Sequence, residues 1–130
     1  MRGHCLCGAV TWAADGPVNW AGFCHCESCR RNCAAPVTAF FGIPHGAWRW
    51  TGGAPKQFTR DHATRYFCGA CGTPVAYAST RFPDEIHFYA AGLDDPQDFT
   101  PTAHFHYSER LNWLGLHDDL KKHEGNTDVS

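Results

Sequence analysis

Eight cysteines lie in three short clusters, and their spacing is the feature of this sequence most able to do chemistry. Thiols one or two residues apart are poor partners for disulfide bonds, but as thiolates they can reach one metal ion from a short turn. The pattern predicts zinc binding. The clusters are Cys5 and Cys7, then Cys24, Cys26, Cys29 and Cys33, then Cys68 and Cys71.

The first and last clusters together supply four cysteines, the ligand number of a closed structural zinc site. The run from Cys68 to Gly72, Cys-Gly-Ala-Cys-Gly, has the form of a zinc knuckle, whose glycines permit a tight turn at positive φ. Cys5 and Cys7 are two residues apart, so on a strand both sulfurs would leave the same face. We therefore predict one structural zinc site that joins the N-terminal segment to the middle of the chain. Its ligands would be Cys5, Cys7, Cys68 and Cys71.

The middle cluster offers three thiolates within six residues, from Cys24, Cys26 and Cys29. Three protein ligands and one open position are the usual arrangement of a catalytic zinc. A thiol bound at the open position would lose its proton near neutral pH, because the metal stabilises the thiolate. Two closed arrangements are alternatives. Cys33 lies one helical turn after Cys29 and could be the fourth ligand, and His25 could take that place between two of the cysteines.

Two pairs of residues are candidates for anion binding and proton transfer. Arg30 and Arg31 directly follow the middle cluster and could hold a carboxylate through bidentate contacts. An ordinary solvated helix face is the alternative for this pair. His104 and His106 would share one face of a strand and could shuttle a proton, since an unperturbed histidine has a pKa of ~6.5. Ordinary strand histidines are the alternative here.

The size and charge of the chain narrow the classes of protein to consider. Its 130 residues suit one domain, and 11 Lys+Arg against 13 Asp+Glu give a net charge of −2. Nucleic-acid-binding proteins usually carry a basic excess, so we expect no nucleic-acid partner. No run of 18 apolar residues and no apolar leader are visible, so we expect no membrane span and a reducing, cytoplasmic location. The pattern predicts no particular oligomeric state.

Short segments rich in valine, threonine and aromatic residues alternate with turn signals, which is typical of a mainly β domain. We predict one domain over 1–124 and a frayed polar tail over 125–130. Helical patterns cover only Glu27–Ala34 and Asp118–His123. The predicted strands are Ala9–Trp12, Asn19–Phe23, Val37–Ile43, Thr64–Phe67, Pro74–Tyr77, Ile86–Ala90 and Ala103–Tyr107.

Three motifs follow one another along the chain: Gly3-His4-Cys5-Leu6-Cys7-Gly8-Ala9-Val10, Cys24-His25-Cys26-Glu27-Ser28-Cys29-Arg30-Arg31 and Arg65-Tyr66-Phe67-Cys68-Gly69-Ala70-Cys71-Gly72-Thr73-Pro74. In this order they resemble the glutathione-dependent formaldehyde-activating enzyme family, which also includes centromere protein V. Later matches are Gly92-Leu93-Asp94-Asp95-Pro96 and the segment from Pro101 and His104 to Trp113. The resemblance covers nearly the whole chain.

The resemblance implies a small zinc-bearing β-sheet fold related in shape to the methionine-R-sulfoxide reductases. It implies a structural zinc on the four-cysteine set and a labile, catalytic zinc on Cys24, Cys26 and Cys29. Two positions depart from the family pattern. Ala34 stands where the family usually has a glycine, and Cys33 is an additional thiol.

The family's named activity joins formaldehyde to glutathione and is classed with the carbon–sulfur lyases. We therefore expect a zinc-dependent carbon–sulfur lyase whose partners are a small thiol such as glutathione and a small aldehyde. The zinc would activate the thiol, and Arg30 and Arg31 would bind a carboxylate of that thiol. The alternative is a non-catalytic binding module folded around zinc.

Overall fold

A computed structural model describes residues 1–126, which contain eleven strands and one α-helix, α1, at Glu27–Cys33. Short 3-10 helices cover Ala90–Gly92, Pro96–Asp98 and Tyr107–Glu109. The strands are β1 (Arg2–His4), β2 (Thr11–Ala14), β3 (Trp20–Cys24), β4 (Thr38–Pro44), β5 (Trp48–Gly52), β6 (Lys56–Arg60), β7 (Ala63–Phe67), β8 (Pro74–Ser79), β9 (Glu85–Tyr89), β10 (Ala103–Phe105) and β11 (Lys121–Lys122).

The strands form two sheets, and the prediction of a mainly β fold is confirmed. One sheet has the order β1-β2-β5, and the other has the order β11-β10-β3-β4-β9-β8-β7-β6. Neighbouring strands from β6 to β9 pair antiparallel, whereas β10 pairs parallel with both β3 and β11. The described part of the chain has no helix long and apolar enough to cross a membrane. The predicted likeness in shape to methionine-R-sulfoxide reductases stays a prediction.

The chain groups into two compact units, of which the first comprises Met1–Trp20 and Phe41–Phe99. Its core is aromatic. The Trp12 and Phe88 rings stack with their centroids 4.0 Å apart, and the Phe41 ring lies 5.9 Å from that of Trp12. All three side chains are almost completely buried, and their packing holds the three-stranded sheet in place.

The second unit comprises Ala21–Phe40 and the chain from Thr100 onward. Here β10 lies beside β3 in parallel register, with His104 opposite Phe23 and Phe105 opposite Cys24. The close approach depends on Gly22, since a Cβ there would lie 2.5 Å from the Ala103 carbonyl oxygen. The pairing thus brings residues from the end of the chain beside the middle cysteine cluster.

The helix predicted from Glu27 is confirmed, but the one predicted over Asp118–His123 is wrong. Asp118 accepts a hydrogen bond from the Leu120 N–H at 2.9 Å, a side-chain turn that competes with helix formation. Lys121–Lys122 then pairs with β10 as β11. The first predicted strand also begins later than expected, at Thr11.

The predicted tail lies partly outside the described residues, which end at residue 126. Within them, the Gly125 carbonyl accepts a hydrogen bond from the His106 N–H at 2.7 Å, and Asn126 Oδ1 lies 2.5 Å from His106 Nε2. These two tail residues are therefore held by the second unit. The prediction of one domain over 1–124 stays a prediction.

Candidate metal centres

Four cysteines from the first and last clusters converge in the first unit. Their sulfurs all lie within 4.8 Å of one another, which confirms that this group could hold a metal ion. Cys5 and Cys68 are almost completely buried beside Val10 and Val75, whereas Cys7 is exposed. An apolar surrounding on one side and solvent on the other suits a metal site that pins a surface turn to the core.

Two similar turns present these sulfurs, so the strand geometry considered for Cys5 and Cys7 does not apply. Strand β1 ends at His4, and the Gly8 N–H donates to the Cys5 carbonyl at 3.1 Å to close a turn. The Gly72 N–H donates to the Cys68 carbonyl at 2.8 Å in the same way. Gly8 and Gly72 have φ of 81° and 78°, a conformation that glycine adopts without steric cost.

Backbone N–H groups in both turns point at sulfur. The Val10 N–H donates to Cys5 Sγ at 3.3 Å, and the Ala70 and Cys71 N–H groups donate to Cys68 Sγ at 3.3 and 3.4 Å. Such bonds stabilise thiolates, the form in which cysteine binds a metal. The turns therefore prepare the group for a cation.

The thiols of this group differ strongly in acidity. Hydrogen bonding to Thr73 lowers the pKa of Cys71 to about 5. A backbone hydrogen bond from Ala9 lowers the pKa of Cys7, but the neighbouring sulfurs of Cys71 and Cys5 outweigh it and raise the net value to about 11. Adjacent thiolates repel one another, so a bound cation that balances their charge would favour deprotonation of Cys7.

The middle cluster forms a second group, with the sulfurs of Cys24, Cys26 and Cys29 within 4.8 Å of one another. Cys24 ends β3, Cys26 precedes α1, and Cys29 lies on the buried side of that helix. Cys24 Sγ and Cys29 Sγ are 3.8 Å apart, and Cys26 Sγ caps the helix by accepting the Cys29 N–H at 3.3 Å. This group, too, could hold a metal ion.

Crowding of the three sulfurs keeps the Cys24 and Cys26 thiols protonated when no cation is bound. Contacts with Cys26 and Cys29, followed by burial, raise the pKa of Cys24. The contact with Cys24 lowers the pKa of Cys26, but Cys29 and burial outweigh it, so the net pKa is raised. Metal binding at this group must therefore release protons.

Neither alternative fourth ligand, Cys33 or His25, lies within the second group of sulfurs. Cys33 ends α1, where its Sγ contacts Asn32 Oδ1 at 3.8 Å. The helix ends there because Ala34 adopts φ 51°, a left-handed conformation that explains why a glycine suits this position. Within the described residues, three protein sulfurs and no fourth ligand compose the group.

His25 lies between Cys24 and Cys26 in the sequence, and its side chain is buried. It is one end of a line of three side chains in contact. His25 Nε2 lies 2.8 Å from His104 Nδ1, and His104 Nε2 lies 2.9 Å from Asp118 Oδ2. Burial, followed by the nearby His104, lowers the pKa of His25 to about 4, so this ring is neutral at pH 7. The hydrogen bond from His104, followed by one from the Leu120 N–H, lowers the pKa of Asp118.

The two arginines after the cluster have different surroundings. Arg30 Nε donates to the His25 carbonyl at 3.0 Å, and Arg30 Nη2 donates to the Glu109 carbonyl at 3.3 Å. Arg31 extends into solvent and pairs with Glu27 Oε2 at 2.7 Å. The structure therefore ties Arg30 to the backbone around the cluster, while Arg31 stays on the exposed face of the helix.

The predicted pairing of His104 and His106 on one strand face is wrong. Strand β10 ends at Phe105, and His106 has φ 53°, so the alternation of side chains stops before it. His104 instead packs with His25, a partner 79 positions away that local sequence patterns do not reveal. Asp118 was likewise not singled out, because its residue type is common in ordinary surface turns.

Comparisons with known proteins find a similar solved structure and a similar curated protein. A crystal structure of a Rhodobacter sphaeroides protein superposes with a TM-score of 0.63 at 25% identity, covering 75% of this chain and 94% of that one. An uncharacterized lyase of Schizosaccharomyces pombe (strain 972 / ATCC 24843) is 33% identical over 79 residues, or 61% of this chain. The chain spans about 58% of the length of this curated relative.

The family model described as glutathione-dependent formaldehyde-activating enzyme matches residues 1–109. The match includes every cysteine of the two groups, from Cys5 to Cys71, and all of α1. The resemblance seen in the three motifs is thereby confirmed, and the chain belongs to the glutathione-dependent formaldehyde-activating enzyme family.

Proposed function

We propose that this protein is a zinc-dependent carbon–sulfur lyase that acts on adducts of a small thiol, such as glutathione, and an aldehyde, such as formaldehyde. Family membership and a relative named as a lyase support the reaction class. The observation that carries the proposal is a complete group of four sulfurs together with a separate group of only three. A cytoplasmic location, where thiols stay reduced, is part of the proposal.

Sulfur spacing supports zinc as the metal in both groups. A tetrahedral zinc with Zn–S bonds of about 2.3 Å separates its sulfurs by about 3.8 Å. Cys5 and Cys7 are 3.7 Å apart, and Cys7 and Cys68 are 3.8 Å apart. Cys24 and Cys29 match this distance in the second group, at 3.8 Å.

The two groups take different roles in this proposal. Cys5, Cys7, Cys68 and Cys71 would hold a structural zinc, because four protein sulfurs complete its coordination. Cys24, Cys26 and Cys29 would hold a labile zinc with one position left for a thiol. Zinc at this group would supply a Lewis acid that lowers the pKa of a bound thiol.

The proposed reaction involves no oxidation or reduction. In the synthetic direction, the thiol sulfur forms a bond to the aldehyde carbon, and the thiol proton ends on the aldehyde oxygen. The lyase direction breaks that carbon–sulfur bond and returns the proton. Cys24 and Cys29 are buried, which restricts water on one side of the group and strengthens its electrostatic effect on the thiol.

Arg31 is the better candidate of the two arginines for recognising a carboxylate of the thiol. Its partner Glu27 is exposed, and exposed ion pairs are weak enough to exchange with a ligand. Arg30 already donates to two backbone carbonyls and would support the loop that carries the cysteines. We therefore assign substrate binding chiefly to Arg31 and include Arg30 as its structural neighbour.

Exchange spectroscopy by NMR on a mixture of glutathione and formaldehyde tests the function. The zinc-loaded protein should accelerate the interconversion of free formaldehyde and the S-hydroxymethyl adduct, and Cys26→Ala should remove the acceleration. Tight zinc in both groups without any acceleration would contradict the lyase proposal. That result would favour the alternative, a binding module folded around zinc.

A further inference from the structure

A line of three hydrogen-bonded side chains ends at the turn that carries the second cysteine group. The Asp118 carboxylate contacts His104 Nε2 at 2.9 and 3.2 Å, and His104 Nδ1 contacts His25 Nε2 at 2.8 Å. His104 and His25 are 0% and 2% exposed, so water does not compete for these bonds. Asp118, partly exposed, is the end of the line nearest to solvent.

His25 is held at three separate points. Its N–H donates to the Phe105 carbonyl at 3.0 Å, and its carbonyl accepts from Arg30 Nε at 3.0 Å. The ring contact with His104 is the third. Because Cys24 and Cys26 are the residues on either side, holding the His25 backbone and ring restrains the backbone from which both cysteine side chains leave.

The carboxylate end sets the direction of the hydrogen bonds. A carboxylate only accepts, so Nε2 of His104 carries a proton. In a neutral His104 ring, Nδ1 is then an acceptor, and the proton between the rings belongs to Nε2 of His25. The remaining nitrogen, Nδ1 of His25, is buried and has no hydrogen-bond partner among the described residues. An unpaired buried acceptor is more easily tolerated than an unpaired donor, which agrees with this order.

We propose that Asp118 is a positioning residue that acts through His104 and His25 to preorganise Cys24 and Cys26 for metal binding. The inference rests on the proposed metal site of the second group. Partners beyond the immediate ligands commonly govern metal affinity in this way, and their loss typically weakens binding 10- to 100-fold. None of the three residues belongs to the unit that holds the four-cysteine group, so the effect should be confined to one site.

Asp118→Ala tests the inference, with Asp119→Ala as a matched control one position away. In Asp118→Ala, zinc affinity at the second group should fall about tenfold or more, while the four-cysteine group keeps its zinc. Competition with a chromogenic chelator measures both affinities. Asp119→Ala should behave like the wild type. Unchanged affinity in Asp118→Ala, or equal weakening of both groups, would overturn the proposal.

Histidine ¹⁵N spectra provide a readout that a loss of general stability does not mimic. In the wild type, His25 should be a single tautomer that is protonated at Nε2 and unprotonated at Nδ1. In Asp118→Ala, His25 should no longer be restricted to this tautomer. His104→Phe, which removes both ring contacts at similar size, should reproduce the loss of affinity. The inference would be contradicted if His25 of the wild type were protonated at Nδ1. It would also be contradicted if Asp118→Ala kept the single Nε2-protonated tautomer of His25.

These measurements need neither thiol nor aldehyde, so the inference and the lyase function can fail separately. If the wild type binds zinc normally but has no lyase activity, the proposed lyase function falls and the inference about Asp118 stands. If Asp118→Ala keeps both its lyase activity and its zinc affinity, the lyase function stands and the inference about Asp118 falls. A wild-type second group that binds no zinc would overturn both.

Discussion

Sulfur atoms carry the chemistry proposed for both groups, but the atoms around them differ. Cys68 Sγ accepts two backbone N–H bonds and is almost completely buried beside Val75. Cys26 Sγ caps the short helix α1 and is partly exposed. Replacing these two cysteines should therefore have different consequences for stability and for activity.

Cys68→Ala should lower the free energy of unfolding by about 5 kcal/mol or more, since structural zinc contributes on the order of 10 kcal/mol in small domains. Cys26→Ala should cost about 1 kcal/mol, the usual value of a helix cap, and abolish activity. Thermal and urea unfolding of both zinc-loaded variants measure the difference. Equal destabilisation would mean that the division of the cysteines between the two groups is wrong.

The neighbouring arginines allow a second comparison. Arg30→Ala should lower the free energy of unfolding by about 1–2 kcal/mol, because it removes a charged donor from two backbone carbonyls. Arg31→Ala should leave the melting temperature unchanged but weaken the binding of glutathione, whose carboxylates it would contact. Calorimetry with glutathione and with an uncharged thiol separates these effects. Equal weakening for both thiols would count against recognition of a carboxylate.

Which cysteines belong to one cluster was predictable, because each cluster is local in sequence. The union of the first and last clusters followed instead from the four ligands that a closed zinc site requires. Contacts that depend on distant segments leave no such local pattern. His25, His104 and Asp118 meet only because β10 lies beside β3 and a turn follows later in the chain. The sequence therefore predicts the candidate ligands but not the side chains that hold them in place.

At the scale of elements, each strand that the sequence predicts contains at least one buried residue in the structure. The sequence patterns do not predict strands β1, β5, β6 and β11. Strand β6, Lys56–Arg60, is exposed at every position and shows no alternation of polar and apolar residues. Its conformation comes from pairing with β7, with Phe58 opposite Arg65, and β11 is only two residues long. Pairing partners, which the sequence does not identify, decide these elements.

The approach of β10 to β3 gives a prediction for Gly22. A Cβ at this position would lie 2.5 Å from the Ala103 carbonyl oxygen and 2.6 Å from the Phe105 ring, so β10 must shift. Gly22→Ala should lower the free energy of unfolding by about 1–3 kcal/mol, as overpacking usually does, and weaken metal binding at the second group.

Gly92→Ala is the matched control for this change, since the added Cβ would meet only an ordinary contact at 3.5 Å. Urea unfolding and chelator competition measure both variants. A stable Gly22→Ala variant with normal metal affinity would show that the position of β10 does not govern the second group.

At the scale of the whole molecule, the described residues contain one group of four sulfurs and one group of three. Four protein ligands fill the coordination of a zinc ion and leave no position for a chelator or a thiol. Three protein ligands leave one position through which such a molecule can reach the ion. We therefore expect this chain to bind two unequal zinc ions: one would support the fold, and the other would take part in the reaction.

Chelator titration of the zinc-loaded protein, with zinc release and thermal unfolding followed together, tests this claim most directly. We expect two phases of one zinc equivalent each. The first should abolish activity while the melting temperature stays nearly constant, and the second should coincide with unfolding. Cys26→Ala should lack the first phase and retain the second. Release of both ions in a single phase would contradict the account.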